Sequence, residues 1–156
     1  MTRKIISLTL WIVLFQAIAF GLGQISQSGM GAWYQSLEKS ALNPPSIVFP
    51  VVWTILYIMI ATAGWWLWQH RHEKQARAPL FFYGVQLIMN WSWTPLFFYY
   101  HYIGTSFILI LLIALFTLMT IIASKTHFRF TNILLIPYFL WLLFAAYLNG
   151  VIWLLN

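Results

Sequence analysis

Five long apolar runs, separated by short gaps that hold all of the charge, set the pattern of this chain. The runs lie at 5–24, 47–69, 79–99, 103–124 and 131–155, and none contains Asp, Glu, Lys or Arg. Each is close to the roughly 20 residues that a helix needs to cross the hydrocarbon core of a bilayer. No run alternates with period two, which argues against a membrane β-barrel. The pattern predicts an all-α membrane protein: one domain, 1–156, built as a five-transmembrane-helix bundle. A long capping loop joins the first helix to the second.

That loop and the helix after it, Trp33 to Tyr57, carry most of the polar and proline-rich sequence. Pro44 and Pro45 lack a backbone N–H and disfavour the helical conformation of the residue before them, so no helix continues through them. They are well tolerated just before a helix begins, and Ser46 is placed to cap the second helix. Trp33, Tyr34 and Leu37 suit one short interfacial helix with its aromatic rings down. Trp and Tyr also gather at membrane interfaces for solvation reasons alone, so these rings are either part of a lid or simple anchors.

Composition reinforces the membrane reading. The chain is 62% hydrophobic and 6% charged, where a soluble domain has about 25% charged residues. Ten tryptophans in 156 residues exceed what a bilayer span requires and suggest surfaces that face something flat. The formal charge of +6 is no nucleic-acid signal, because the eight basic residues are scattered over gaps and form no stripe. With the N-terminus inside, Arg3, Lys4, Arg71, Lys74, Arg77, Lys125 and Arg129 fall inside and only Lys39 outside. This positive-inside bias puts the lid and the C-terminus outside. Arg3, Lys4 and the apolar run ending in Ala17-Ile18-Ala19 also resemble a cleavable secretory signal; the run continues to Gly23, as an uncleaved span would.

Candidate chemistry is sparse. The chain has no Cys, which excludes thiol catalysis and thiolate metal sites. No intramembrane carboxylate or cation is available for a proton relay, and no Ser-His-Asp set or phosphate-cradling loop appears. His70 and His72 form an H-x-H pair in an inside gap, His127 lies in another, and His101 in an outer turn. No metal site is expected from them. The third run is the most polar: Gln86, Asn90, Trp93 and Thr94 share a face that should turn into the bundle. Its amides serve either as interhelical glue or as ligand contacts. Pro95 should free a carbonyl near Trp91 and kink this helix. In the fifth run Tyr138, Trp141, Ala145 and Asn149 form one stripe, a notch beside the small Ala145. Trp53, Tyr57 and Gly64 make a similar face on the second. A packed core uses such stripes too. The fourth run is aliphatic nearly all round and offers no chemistry. Ala17/Gly21 and Ala19/Gly23 permit close contact on the first helix.

With these residues in view, the chain resembles the TspO/MBR family, the translocator proteins or tryptophan-rich sensory proteins, in its bacterial form. The resemblance rests on AWYQSLEKS and NPP, then VVWTILY, QLIMNWSWTPLFF and PYFLWLLFAAYLN in order, nearly the whole chain. It implies a five-helix bundle in a bacterial cell membrane, often a homodimer, whose first loop caps a pocket. Such proteins bind porphyrins and haem-like tetrapyrroles, and some bind sterols or benzodiazepine-type ligands. The expected ligand contacts are Trp33, Trp53, Tyr57, Asn90, Trp93, Tyr138, Trp141 and Ala145 beneath a lid containing Pro44 and Pro45. Light- and oxygen-dependent porphyrin breakdown would engage Trp53 and Trp141. No obligatory cofactor, no metal and no nucleic-acid partner is implied; membrane lipid is.

Two departures stand out. Where the family often reads K-P-x-W-x-P-P, this chain has Lys39-Ser40-Ala41-Leu42-Asn43-Pro44-Pro45, so one lid aromatic is missing. No basic residue follows Tyr147 up to Asn156, which counts against the sterol motif proposed for animal members. Transport of porphyrins or other hydrophobic molecules is the alternative, although no inverted repeat or paired broken helix supports it. A structural or assembly partner role would rest only on the small-residue faces of the first helix.

Overall fold

A computed structural model describes residues 2–156, and among them there is helix, turn and loop but no strand. Six α-helices follow in order: α1 (Thr2–Gly29), α2 (Ala32–Ser36), α3 (Val48–Gln69), α4 (Arg77–Thr94), α5 (Ile103–Ser124) and α6 (Arg129–Leu155). Four of them, α1, α3, α5 and α6, are long and apolar enough to cross a membrane. The expected count of five spans is therefore not matched by length and hydropathy alone. The segment that differs is α4, whose 18 residues include Gln86, Asn90, Ser92 and Thr94.

The predicted helix at 79–99 is also divided. Pro95 cannot donate to the carbonyl four residues earlier, and from Pro95 to Tyr99 the chain winds as a wider π turn. Tyr100 then bonds back to the Pro95 carbonyl at 3.0 Å. The first helix runs well beyond its predicted limits of 5–24, because nothing breaks it before Gly29. The short helix expected around Trp33 is α2, with Leu37 closing it. Ser46 does not cap α3: that position falls to Ile47, which makes no side-chain cap bond, and a turn from Val48 N–H to the Pro45 carbonyl (2.9 Å) starts the helix.

The long helices close a ring. α1 packs on α3, α3 on α6, α6 on α5 and α5 on α4, and the π turn after α4 returns to α1. Gly64 of α3 makes the half of the ring away from α2 tight: a Cβ there would meet the Tyr83 ring, whose hydroxyl donates to the Ile60 carbonyl at 2.8 Å. Gly29 does the same for the ring closure, seating α1 against the Phe98 backbone. α5 departs from its expected character. Its exposed side is aliphatic, but Ser106, Thr117, Thr120 and Ser124 are fully buried. Thr117 and Thr120 donate to carbonyls of their own helix, at 2.8 Å each, which lets a hydroxyl sit in a dry interface. α1 is the outlier of the ring, with only Phe15 buried.

A tryptophan-walled cavity and its lid

At the end of the ring nearest α2 the helices enclose a cavity of about 810 Å³. Trp53 and Tyr57 reach it from α3, Asn90 and Trp93 from α4, and Trp141 and Ala145 from α6. The spacings that suggested these faces do bring six of the expected residues onto one space. Trp53 tilts against Tyr57 with ring centroids 5.6 Å apart, and Phe49 meets Trp141 edge-on at 6.1 Å. Trp93 stacks flat on Phe97 at 5.0 Å. Its indole N–H is already used, on the Ser106 carbonyl (3.1 Å) and on Asn149 Oδ1 (3.3 Å), so Trp93 is tied to α5 and α6.

Tyr138 is not on the wall. It lies directly behind it, fully buried, and meets Trp53 edge-on at 6.3 Å. It belongs to a chain of hydrogen bonds leading inward from the cavity. The Tyr57 hydroxyl donates to Asn90 Oδ1 (2.6 Å), Asn90 Nδ2 to the Tyr138 hydroxyl (2.8 Å), and that hydroxyl to Gln86 Oε1 (3.0 Å). Three helices are thereby joined through one amide. Glue and cavity contact, the two alternatives for Asn90, are here the same residue; Gln86 is glue.

Trp33 does not reach the cavity either. It stacks on His101 with centroids 3.8 Å apart and 19° between planes, and meets Phe97 edge-on. His101 holds a positive φ of 57° in the turn before α5, which turns its ring onto Trp33. The neighbouring Tyr34 lines the cavity instead, and burial raises its phenol pKa above the ordinary value. Pro44 and Pro45 are outside the wall, while Asn43 and Ser46 on either side line it.

Some wall residues have no counterpart among the sequence candidates. α1 contributes Gln16, Gln24 and Gln27, and α3 adds Phe49, Pro50 and Thr54. The α1 amides were visible as three polar side chains on an apolar helix, which hydrocarbon would penalise. Among the described residues, no ionisable acid or base other than tyrosine lines the cavity, and no three His, Cys, Asp or Glu group together to hold a metal.

The lid is tied to the end of α6. Asn156 accepts from the Glu38 N–H (3.0 Å) and donates to the Glu38 carbonyl (3.1 Å), a two-point grip on backbone. The Ser40 and Tyr147 hydroxyls pair at 2.9 Å. Lys39 folds back on the Leu37 carbonyl at 2.7 Å and over the Tyr34 ring at 4.8 Å.

A family model described as the TspO/MBR family matches residues 11–154. The chain belongs to the TspO/MBR family. Among TspO/MBR relatives, the tryptophan-rich protein TspO of Chlorobaculum tepidum is 31% identical over 163 residues, covering 100% of this chain and 99% of the relative. Protein CrtK of Rhodobacter capsulatus is 32% identical, over 96% of this chain and 94% of its own length. The translocator protein of Ovis aries is 35% identical over 123 residues, 78% of this chain and 73% of the relative. The aromatic cavity thus sits in a chain whose TspO/MBR relatives carry the names sensory protein and translocator.

Proposed function

We propose that this TspO/MBR protein binds a flat, apolar tetrapyrrole in the cavity and acts as a membrane sensor or stress-response regulator. The observation that carries the reading is the wall itself: Trp53, Trp93, Trp141 and Phe49 around about 810 Å³ with no charged group. That volume lies within the roughly 300–1,000 Å³ of small-molecule sites, and broad aromatic faces suit a planar ring because stacking adds to area burial. In this reading α4 and its π turn, Arg77 to Tyr99, make the fifth span. Its amides face the bundle rather than lipid, so it tolerates a lower hydropathy. The N-terminus is inside, the lid and C-terminus are outside, and the membrane is that of a bacterial cell. A homodimer is the expected assembly.

Protoporphyrin titrated into protein in mild detergent, in the dark, should quench tryptophan emission saturably. Ala145→Phe should abolish that quenching by filling the notch beside Trp141. Saturable quenching that survives Ala145→Phe removes the assignment of the cavity.

Any light-driven chemistry would come from the excited porphyrin and oxygen, with Trp53 and Trp141 supplying orientation and indole electrons. Trp53→Phe and Trp141→Phe keep an aromatic face. Slowed pigment loss under light with near-unchanged dark affinity would support that role; loss that tracks occupancy in every variant would leave the protein a binder.

A further inference from the structure

The residues that line the cavity differ sharply in how far they face outward. Those from α5 and α6 are buried or half-buried, as are those from α4 and its π turn. The exposed ones lie along a single seam: Phe20, Gln24 and Gln27 on α1, and Ser46, Ile47, Pro50 and Thr54 at the start of α3. Phe20 is 71% exposed and Ile47 67%, although both also border the cavity. A side chain that borders a cavity and also faces outward marks its mouth.

The hydrogen bonds agree with this. α3 donates from Trp65 Nε1 to Ser7 Oγ (3.1 Å), and Gln16 Nε2 of α1 donates to the Thr54 carbonyl (2.9 Å). Outward of Gln16, no hydrogen bond joins α1 to α3 among the described residues. There α1 leans the other way, to seat Gly29 on the Phe98 backbone. The top of the cavity, by contrast, is held at both edges, by Asn156 on Glu38 and by Trp33 on His101.

We propose that the cavity fills from the bilayer through a side window between α1 and α3, and not from the water above the lid. The inference rests on the cavity being a ligand site. It also narrows the ligand class: flat molecules already dissolved in the membrane, with a hydrogen-bonding edge. Gln24, Gln27, Ser46 and Thr54 give the frame neutral donors and acceptors, so that edge can stay partnered while the apolar body slides inward. A strongly charged, water-borne ligand would meet neither a counter-charge nor an open door.

The test measures association and dissociation of protoporphyrin, in the dark, with full-length protein in vesicles. Gly23 borders the cavity at the seam and has open space where a Cβ would go; Gly21 has the same open space but does not line the cavity. Gly23→Phe should slow both association and dissociation, by roughly tenfold, while Gly21→Phe leaves both rates alone. Phe20→Ala, which widens the seam, should quicken both rates and covers the case in which Gly23→Phe fails to fold. Unchanged rates in Gly23→Phe and Phe20→Ala overturn the window. So does faster association on releasing the lid with Asn156→Ala. If protoporphyrin quenches nothing even in the parent protein, the tetrapyrrole reading fails, and the window is tested without it. Since the chain has no cysteine, Ala145→Cys can be labelled by a membrane-dissolved pyrene maleimide. Gly23→Phe should slow that labelling, and an unchanged rate again overturns the proposal.

Discussion

Asn90 shows what a single amide does in this interior. Its oxygen accepts from Tyr57 and its nitrogen donates to Tyr138, so Asn90→Leu removes two bonds and leaves the Tyr57 hydroxyl without its acceptor, while Tyr138 keeps its bond to Gln86. Interhelical hydrogen bonds in membranes average only ~0.6 kcal/mol, but leaving a buried partner unsatisfied costs about 1–3 kcal/mol. Asn90→Leu should therefore lower stability by about 1–3 kcal/mol, against less for Tyr57→Phe, which removes one donor. Unfolding in detergent measures both, and a leucine variant as stable as the parent would contradict the chain of bonds. Tyr34 supports a pH prediction. Burial raises its phenol above the ordinary value of 10.0, so the docked lid favours the neutral form. Lid docking holds while a released Tyr34 is also neutral, and weakens as pH climbs past 10.0, where the released phenol ionises first. A spin label at Ala41 (A41C) should gain mobility there, and Tyr34→Phe should abolish the alkaline change.

Helices carried most of what could be read from the chain alone. The apolar runs located the long helices because hydrocarbon demands a continuous apolar stretch whose backbone bonds to itself. The faces of α3, α4 and α6 were legible because period 3.6 puts Trp53 with Tyr57 and Trp141 with Ala145 on one side. Depth was not legible. Tyr138 shares the stripe of Trp141, yet it falls behind the wall, where it bonds to Asn90 and Gln86 of α4, and only the assembled ring decides where the cavity floor lies. The α1 amides were not legible as wall residues, because a neutral amide on an apolar helix serves equally well as interhelical glue. Gly64 gives a test at this scale. A methyl group there would overlap the Tyr83 ring, and forcing extra volume into a packed interface costs typically about 1–3 kcal/mol. Gly64→Ala should lose about that much stability, although alanine favours a helix. A gain in melting temperature would show that α3 and α4 pack less closely than described.

For the molecule as a whole, the ring is built unevenly. α3 and α6 bury large stretches against their neighbours, whereas α1 buries only Phe15. The lid hangs from the opposite side, gripped by Asn156. Asn156→Ala should quicken amide exchange at Glu38 while exchange in α3 and α6 stays as it was. Equal protection at Glu38 in both proteins would mean that the other lid contacts suffice. The break in helix at Pro44 and Pro45 was legible, but the attachment of this loop joins residues 118 apart in sequence, and no local pattern reports that.

The length of α1 has a consequence for the surrounding lipid. Its 28 residues amount to roughly 42 Å of helix, against about 30 Å of hydrocarbon. A helix longer than its bilayer tilts, and more so as the bilayer thins. Because the hydrogen bonds from α1 to α3 among the described residues lie at Ser7 and Gln16, tilt would swing the part of α1 beyond Gln16 and change the gap beside α3. Bilayer thickness would then tune how fast the cavity loads. Protoporphyrin uptake should vary between vesicles of short-chain and long-chain phosphatidylcholine, and a Gln16→Leu variant, which removes the bond to the Thr54 carbonyl, should blunt the difference. Uptake indifferent to chain length would mean that α1 is held more firmly than its contacts indicate.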